Sequence, residues 1–203
     1  MKKLERNFYD RSAVDVARDL LGKLLVHDVD GIRYSARIVE TEAYCGITDK
    51  AAHSYGGRRT ERVEVMYGKP GFSYVYFVYG MHFCFNVVSS SKDDPQAVLV
   101  RGVEPVEGLD MMAYNRFHMD YAALSCTQKV SLTNGPAKLC KALALDRRHN
   151  GLDLCGSSLF IVQGDVSPAS IVETTRIGIG YAEEAQDYPW RFYIAGNPYV
   201  SVK

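Results

Sequence analysis

Two strand patterns joined by an Asp-Gly pair dominate the amino-terminal quarter of the sequence. Residues 23–29 and 34–44 each carry the apolar and β-branched side chains typical of strands. The Asp30-Gly31 pair between them favours the tight turn of a β-hairpin, because both residues tolerate a positive φ. The spacing therefore predicts antiparallel pairing, which a strand-helix-strand repeat would not give.

Helix and strand patterns alternate irregularly along the rest of the chain. Ser12 is predicted to cap a helix whose apolar stripe is Val14, Ala17, Leu20 and Leu21 and which ends at Gly22. Two more helices are predicted at residues 109–117 and 134–145, with Pro136 in the first turn of the latter. Further strands are predicted at residues 72–90 (a strand-turn-strand), 97–105, 158–164, 175–180 and 190–202. We expect one α+β domain over residues 1–203, with a curved, largely antiparallel β-sheet, flanking helices and a protruding β-hairpin.

Composition narrows the class of protein. The 203 residues are 47% hydrophobic, enough for one substantial core, and no apolar run approaches the length of a membrane span. The amino terminus has no apolar signal-peptide segment, and the five cysteines contain no C-x-x-C pair. The sequence therefore favours a cytoplasmic protein with no membrane association, no disulfide framework, no metal site and no cofactor.

The formal net charge is zero, yet charge is unevenly distributed. Residues 126–150 carry five basic side chains and one acidic one, whereas residues 151–190 carry six acidic side chains and one basic one. This asymmetry is compatible with a protein surface that is basic on one face and acidic on the opposite face.

Two carboxylates interrupt the second strand pattern. In a strand, Ile38, Glu40, Glu42 and Tyr44 would share one face. The simplest interpretation is an edge strand whose solvated face carries both Glu residues. The alternative is a functional pair of carboxylates, which the strand pattern alone does not distinguish from the first interpretation.

Aromatic side chains and a loop histidine are the other candidates for function. Aromatic residues crowd residues 72–90, which is typical of a buried core, but Tyr79 precedes the turn glycine Gly80, and a hairpin tip is seldom core. An exposed aromatic side chain there could stack on nucleic-acid bases. His53 lies in a polar loop with Arg58 and Arg59, and without a second ligand at metal-binding spacing it is interpreted as a hydrogen-bonding residue.

Six segments in order resemble the alkyladenine (3-methyladenine) DNA glycosylase family. They are RIVETEAYCG, AAHSYGGRRT, KPGFSYVYFVYGMHFCFNV, VLVRGVEPVEG, NGPAKLCKALAL and RFYIAGNPYVSV, and the similarity runs from about Phe8 to Val202. The resemblance implies a monofunctional enzyme that flips alkylated or deaminated purines out of double-stranded DNA and hydrolyses the N-glycosidic bond. The implied substrates are 3-methyladenine, 7-methylguanine, hypoxanthine and ethenoadenine.

The resemblance also assigns residues. Glu42 matches the general base that activates water, which leaves Glu40 a structural role, and Arg101 matches a basic residue of the active-site floor. The residues that match the base pocket are Tyr44, His53, Tyr76 and Asn86, with Asn86 near the purine 2-position. The residues that match DNA contacts are Tyr79 as the wedge in the base stack, His82 at the hairpin tip where the family has tyrosine, Arg58, Arg59 and Lys138.

Three other functions are compatible with parts of this pattern. A glycosylase-lyase would need an amine nucleophile, for which Lys138 is the nearest candidate. A non-catalytic nucleic-acid-binding module would have no need of Glu42, and a small-molecule hydrolase would give no reason for a tyrosine at a hairpin tip. We expect a monomer, located in the cytoplasm and associated with the nucleoid if the source is prokaryotic.

Overall fold

The structure is a computed structural model that describes residues 2–78, 80–164 and 168–202. Its helices are α1 (Arg6–Tyr9), α2 (Ala13–Leu20), α3 (Leu109–Phe117), α4 (Cys126–Ser131) and α5 (Pro136–Ala142). Its strands are β1 (Leu24–Val29), β2 (Ile32–Tyr44), β3 (Ser73–Val78), β4 (His82–Ser89), β5 (Gln96–Glu107), β6 (Leu159–Val162), β7 (Ile171–Thr174) and β8 (Arg191–Ile194). Within these ranges no helix is long and apolar enough to cross a bilayer.

All the described strands pair antiparallel in one curled sheet. The main order is β3-β4-β5-β2-β1-β6, while β8 pairs with β2 and β7 pairs with β8. One hydrophobic core draws on residues from Leu4 to Phe192 and lies between the sheet and helices α2, α3 and α5. The predicted α+β class and antiparallel sheet are confirmed.

Strand β2 lies in the interior of the sheet, and the edge-strand interpretation of its two Glu residues is wrong. Its carboxyl-terminal half pairs with β5 on one side and with β8 on the other. Glu40 and Glu42 are both 0% exposed. Their burial means that each carboxylate must find partners inside the protein, because an unpaired buried charge is costly.

A β-bulge interrupts β2 next to the first carboxylate. The register with β5 shifts between Ile38 and Glu40 and again after Glu40, which lies opposite Gly102. A Cβ atom on Gly102 would lie 2.6 Å from the backbone oxygen of Tyr199 and 3.3 Å from Glu40 Oε2. The sheet therefore requires glycine there, because the carboxyl-terminal segment passes too close for a side chain. Bulges of this kind redirect side chains, and here the side chain of Glu40 contacts Ser201 of the carboxyl-terminal segment.

The local signals at the amino terminus are confirmed. The Ser12 hydroxyl accepts a hydrogen bond from the Asp15 amide. Helix α2 buries Ala13, Val16, Ala17 and Leu20, whereas Val14 of the predicted stripe is only half-buried. Asp30 and Gly31 have φ values of 50° and 78°, as the predicted turn requires.

Two strand predictions near the carboxyl terminus are wrong or too long. Residues 175–180 form no strand, and the strand lies just before them at Ile171–Thr174. Gly178 has a φ of 75°, and the Arg176 side chain is directed into the protein rather than along a sheet face. Within residues 190–202, only Arg191–Ile194 is a strand.

The β3-β4 hairpin projects exposed side chains at its end. Phe77 and Met81 are 42% and 70% exposed, and His82 is also exposed. Tyr79, the predicted wedge, lies outside the described residues.

Candidate active site

A cavity of about 490 Å³ lies beside the hairpin. Its walls come from β2 and the loop after it, from β3, β4 and β5, from the amino end of α5, and from residues 177–181. Its aromatic and histidine lining consists of Tyr44, His53, Tyr74, Tyr76, His82 and Tyr181. Asn86 and Arg101 add polar groups to this lining, so that the cavity is suited to a flat ring with polar edges.

Glu42 lies immediately behind the cavity wall. Its Oε1 accepts the Ile177 amide at 2.7 Å, and its Oε2 accepts the Tyr44 hydroxyl at 2.9 Å and Arg101 Nη1 at 3.2 Å. All three donor residues line the cavity, although Glu42 itself does not. The carboxylate is therefore held in one orientation, directly behind residues that line the cavity.

Glu40 contacts a different set of groups. Its Oε1 accepts hydrogen bonds from Arg191 Nε at 2.8 Å, from the Ser201 hydroxyl at 2.9 Å and from Arg101 Nε at 3.2 Å. Its Oε2 accepts the Ser201 amide at 2.6 Å. These contacts tie the carboxyl-terminal segment to the sheet, which fits the structural role expected for Glu40.

Arg101 joins the two carboxylates. Its Nε contacts Glu40 and its Nη1 contacts Glu42, and the residue is 8% exposed. Burial opposes its charge, but Glu42 and Glu40 together outweigh burial and raise the pKa of Arg101. Arg101, predicted as a residue of the active-site floor, thus lies in contact with Glu42 and keeps one of its carboxylate oxygens paired.

Three aromatic groups form a cluster on the other side of the cavity. His53 Nδ1 lies 2.9 Å from the Tyr74 hydroxyl, and the His53 ring meets the Tyr76 ring edge-on with centroids 4.7 Å apart. Burial lowers the pKa of His53 to about 4, with the positive charges of Arg62 and Arg58 adding to the effect. His53 is therefore neutral at pH 7 and can offer both a donor and an acceptor nitrogen.

A fully buried ion pair supports the Tyr44 wall. Arg176 donates to both oxygens of Asp49 at 2.6 and 2.9 Å and also to the backbone oxygens of Ala43 and Ala185. Its guanidinium lies 4.9 Å from the centre of the Tyr44 ring. Since Arg176 directly precedes Ile177, this pair also fixes the segment whose amide binds Glu42.

The other predicted site residues are near the cavity or on its rim. Asn86 lines the cavity, and its side-chain nitrogen donates to the backbone oxygen of Tyr74 at 2.9 Å. His82 lines the cavity from the hairpin tip. Lys138 lies in α5, directly after the cavity residues Pro136 and Ala137, and donates to Asn134 at 2.8 Å.

Arg58 and Arg59 follow the His53 loop on an exposed surface. Arg59 forms ion pairs with Glu64 at 2.6 Å and with Asp93 at 3.3 Å. Arg58 is exposed and lowers the pKa of His53, so it lies close enough for its charge to act on the cavity. The structure thus brings Arg58 near the site, while the Arg59 charge is already balanced by two carboxylates.

Four contributors to the site were missed in the sequence. Arg62, Asp49, Arg176 and Ile177 each act through a partner distant in sequence, or through a backbone group that no side-chain pattern reveals. The cluster of basic residues after His53 could have suggested Arg62. For Arg176, the only available signal was an arginine within an otherwise apolar and glycine-rich segment.

A second buried histidine adds to the pH dependence of folding. His27 Nδ1 lies 2.8 Å from the Leu143 carbonyl oxygen, and its Nε2 lies 3.1 Å from Nε2 of His149. Burial lowers the pKa of His27, and the neighbouring His149 adds to this. His27 and His53 both resist protonation in the folded protein.

We therefore expect the free energy of unfolding to fall as the pH drops from about 6.5, the usual histidine pKa, towards 4. In this window the unfolded chain binds protons at His53 and His27 that the folded protein does not, so stability is lost with decreasing pH. His53 alone would contribute up to about 3 kcal/mol. Urea unfolding at several pH values measures the slope. His53→Gln should flatten it, whereas His118→Asn, at an exposed position, should not; equal slopes in all three proteins would contradict the assignment.

The antiparallel α+β fold, the aromatic cavity and the buried carboxylate at its wall fit the class of DNA glycosylases that the sequence resemblance implies. The pattern of the methylpurine-DNA glycosylase family matches residues 7–198, and the chain belongs to that family. It is therefore a DNA-binding hydrolase of base excision repair, as the sequence resemblance predicted.

Full-length relatives agree with this assignment. A protein of Desulfitobacterium hafniense named "Putative 3-methyladenine DNA glycosylase" is 61% identical over 100% of both chains. Proteins with the same name from Clostridium acetobutylicum and Clostridium tetani are 53% and 52% identical, over 98% and 99% of this chain and 98% and 100% of their own lengths.

Proposed function

We propose that this glycosylase takes alkylated or deaminated purines from double-stranded DNA into the aromatic cavity and releases them by hydrolysis. The observation that carries the proposal is the Glu42 carboxylate, held by three donors directly behind the cavity wall. Such a group can reach the N-glycosidic bond only if the base is turned out of the duplex, since the target atoms of a stacked base are not accessible to an enzyme.

Hydrolysis needs one water and one carboxylate. The C1′–N bond breaks and its electron pair leaves with the purine, so that positive charge develops on the sugar. Water then forms the new bond to C1′ and gives a proton to Glu42, while the negative carboxylate stabilises the developing charge. Arg101 keeps the carboxylate in place through Nη1. This scheme needs no amine nucleophile and leaves the DNA strand intact.

The cavity would hold the extruded base between aromatic rings. Tyr44 and Tyr76 offer ring faces, and the neutral His53 offers a hydrogen bond to the base edge. Stacking returns roughly 1–3 kcal/mol per base, comparable with the few kcal/mol that unstacking costs. Stacking in the cavity can therefore offset the free energy cost of extruding the base, without a metal or cofactor.

The hairpin tip would fill the gap left in the duplex. We propose Tyr79 as the wedge, because it directly precedes Gly80, which has a φ of 70° and lies in open space: a Cβ atom on Gly80 would meet nothing within 4 Å. Exposed Met81 and His82 follow this glycine. We propose Arg58, Arg59 and Lys138 as contacts with DNA phosphates.

Asn86 is proposed to exclude undamaged guanine. Its nitrogen is fixed by the Tyr74 carbonyl, so the side chain presents a rigid edge to the cavity. A purine 2-amino group against that edge would clash or remain unpaired, and an unsatisfied buried donor costs about 1–3 kcal/mol. Hypoxanthine, which lacks this group, would avoid the penalty.

The test of the proposed function is incubation with a duplex that contains one hypoxanthine or one 7-methylguanine, followed by chromatography for free base. We expect released base and an intact strand with an alkali-sensitive abasic site. Strand cleavage without alkali would indicate a lyase. Binding without base release would indicate a non-catalytic module, and neither result is compatible with the proposal.

We expect one copy of the chain to suffice for this activity. We propose that it acts as a monomer in the cytoplasm, close to the nucleoid, as suits a DNA-repair enzyme with bacterial relatives.

A further inference from the structure

Two arginines lie against the tyrosine rings that wall the cavity. The Arg176 guanidinium is 4.9 Å from the centre of the Tyr44 ring, and the Arg62 guanidinium is 5.2 Å from the centre of the Tyr76 ring. Both tyrosines line the cavity but neither arginine does. Each guanidinium therefore lies against a cavity-lining ring without itself lining the cavity.

The charges of the two arginines are balanced very differently. Arg176 forms a two-point ion pair with Asp49, and both side chains are 0% exposed. Arg62 is exposed and forms no ion pair with any acid among residues 2–78, 80–164 and 168–202. Arg101, which lines the cavity, is neutralised by Glu40 and Glu42. The charge of Arg62, next to the cavity wall, thus has no acidic partner within the described ranges.

The charge of Arg62 reaches the cavity. Burial is the main cause of the low pKa of His53, and Arg62 is the larger of the two positive charges that lower it further. Protonated His53 is a cationic, flat, aromatic group in contact with Tyr76. A cationic base stacked in the same cavity would experience the same repulsion.

We propose that Arg62 is a specificity-determining residue that disfavours positively charged bases, so that the cavity discriminates in favour of neutral damaged purines such as hypoxanthine over cationic methylated purines such as 7-methylguanine. This inference rests on the proposed function, in which Tyr76 stacks on the extruded base.

The physical reason is that the Arg62 guanidinium and a cationic base would both interact with the ring of Tyr76. A tyrosine ring attracts a cation to its face, and a guanidinium on one face reduces what remains for a cation on the other. Because the guanidinium is 5.2 Å from the ring centre, a base stacked on Tyr76 would lie within about 9 Å of it, a separation at which charge repulsion near a protein surface still changes an equilibrium on the order of tenfold. A neutral base carries no net charge for the Arg62 guanidinium to repel, so its binding is not weakened.

The competing role for Arg62 is a contact with a DNA phosphate. A phosphate contact would strengthen binding of every duplex alike, whatever the charge of the base. Removing Arg62 would then lower both excision rates by the same factor. The ratio of the two rates therefore distinguishes the two roles.

The experiment compares the wild type with Arg62→Gln and Arg62→Lys on two duplexes that differ only in hypoxanthine or 7-methylguanine. Single-turnover base release gives the ratio of the 7-methylguanine rate to the hypoxanthine rate, and comparing this ratio between proteins removes the difference in leaving-group ability between the two bases. We expect Arg62→Gln to raise this ratio roughly 3- to 20-fold. Arg62→Lys keeps the charge and should stay within about twofold of the wild type.

Arg59→Gln is the matched control, because Arg59 is a nearby exposed arginine whose charge is already paired with Glu64 and Asp93. It should leave the ratio unchanged. An unchanged or lowered ratio in Arg62→Gln, or an equal rise in Arg59→Gln, would overturn the inference while base release by the wild type still upheld the proposed function. Absence of base release by the wild type would refute both.

Discussion

Replacement of Glu42 by glutamine is expected to lower single-turnover excision of hypoxanthine by about 10²–10⁴-fold. Glutamine keeps the shape of the side chain and can still accept from the Ile177 amide or the Tyr44 hydroxyl. It cannot take a proton from water, and it lacks the negative charge that stabilises the sugar cation. Affinity for the damaged duplex should change little, which equilibrium binding measures alongside base release.

Glu40→Gln is the matched variant. Glu40 accepts from Arg191, Arg101 and both donors of Ser201, so this change should mainly weaken the fold. Thermal melting should fall more in Glu40→Gln than in Glu42→Gln, and excision should fall more in Glu42→Gln. If Glu42→Gln were nearly as active as the wild type, or if excision in both variants simply followed their loss of stability, Glu42 would not be the base.

The second large effect is expected at Arg176. Arg176→Met removes the partner of Asp49 in a pair with no exposed surface, leaving a buried carboxylate without its ion-pair partner. Breaking a buried pair from one side costs about 3–5 kcal/mol. For a chain of this length, that loss corresponds to a melting temperature roughly 10 °C lower.

Calorimetry measures this loss, and two further variants test its cause. Asp49→Leu combined with Arg176→Met removes both charges and should regain part of the stability, because no charge is then left unpaired. Arg59→Gln, in an exposed ion pair, should leave the melting temperature almost unchanged. A similar loss in Arg59→Gln, or no loss in Arg176→Met, would contradict the importance of the buried pair.

Local signals in the sequence predicted local structure well. The Ser12 cap and the Asp30-Gly31 turn are present as expected, because each depends on neighbouring residues alone. The strand predicted at residues 175–180 is absent. The alternation of apolar residues there suggested a strand, but the Arg176 side chain is buried in an ion pair with Asp49, which the sequence did not reveal. The edge-strand interpretation of β2 failed for a similar reason, since the pairing of β8 with β2 is not visible in either strand.

The site was predictable only in part. The resemblance pointed to Glu42 and Arg101, and these two residues are in contact. The contacts that hold the site in place cannot be recognised in the sequence. Asp49 and Arg176 are 127 positions apart, and Glu42 accepts from a backbone amide 135 positions away. The role proposed for Arg62 depends on its contact with the ring of Tyr76, and no spacing rule in the sequence connects an exposed loop arginine with a strand tyrosine.

The contact between Glu40 and Ser201 has a consequence for synthesis of the protein. The two residues are separated by 161 positions, and Glu40 shares Arg101 with Glu42. During synthesis on the ribosome, at roughly 5–20 residues per second, β2 is made early, and Glu40 has neither Arg191 nor Ser201 as a partner until much later in translation. The contacts of Glu40 therefore cannot be complete until residues 191 and 201 have been synthesised, and we expect Arg101, which Glu40 shares with Glu42, to reach its final orientation only then.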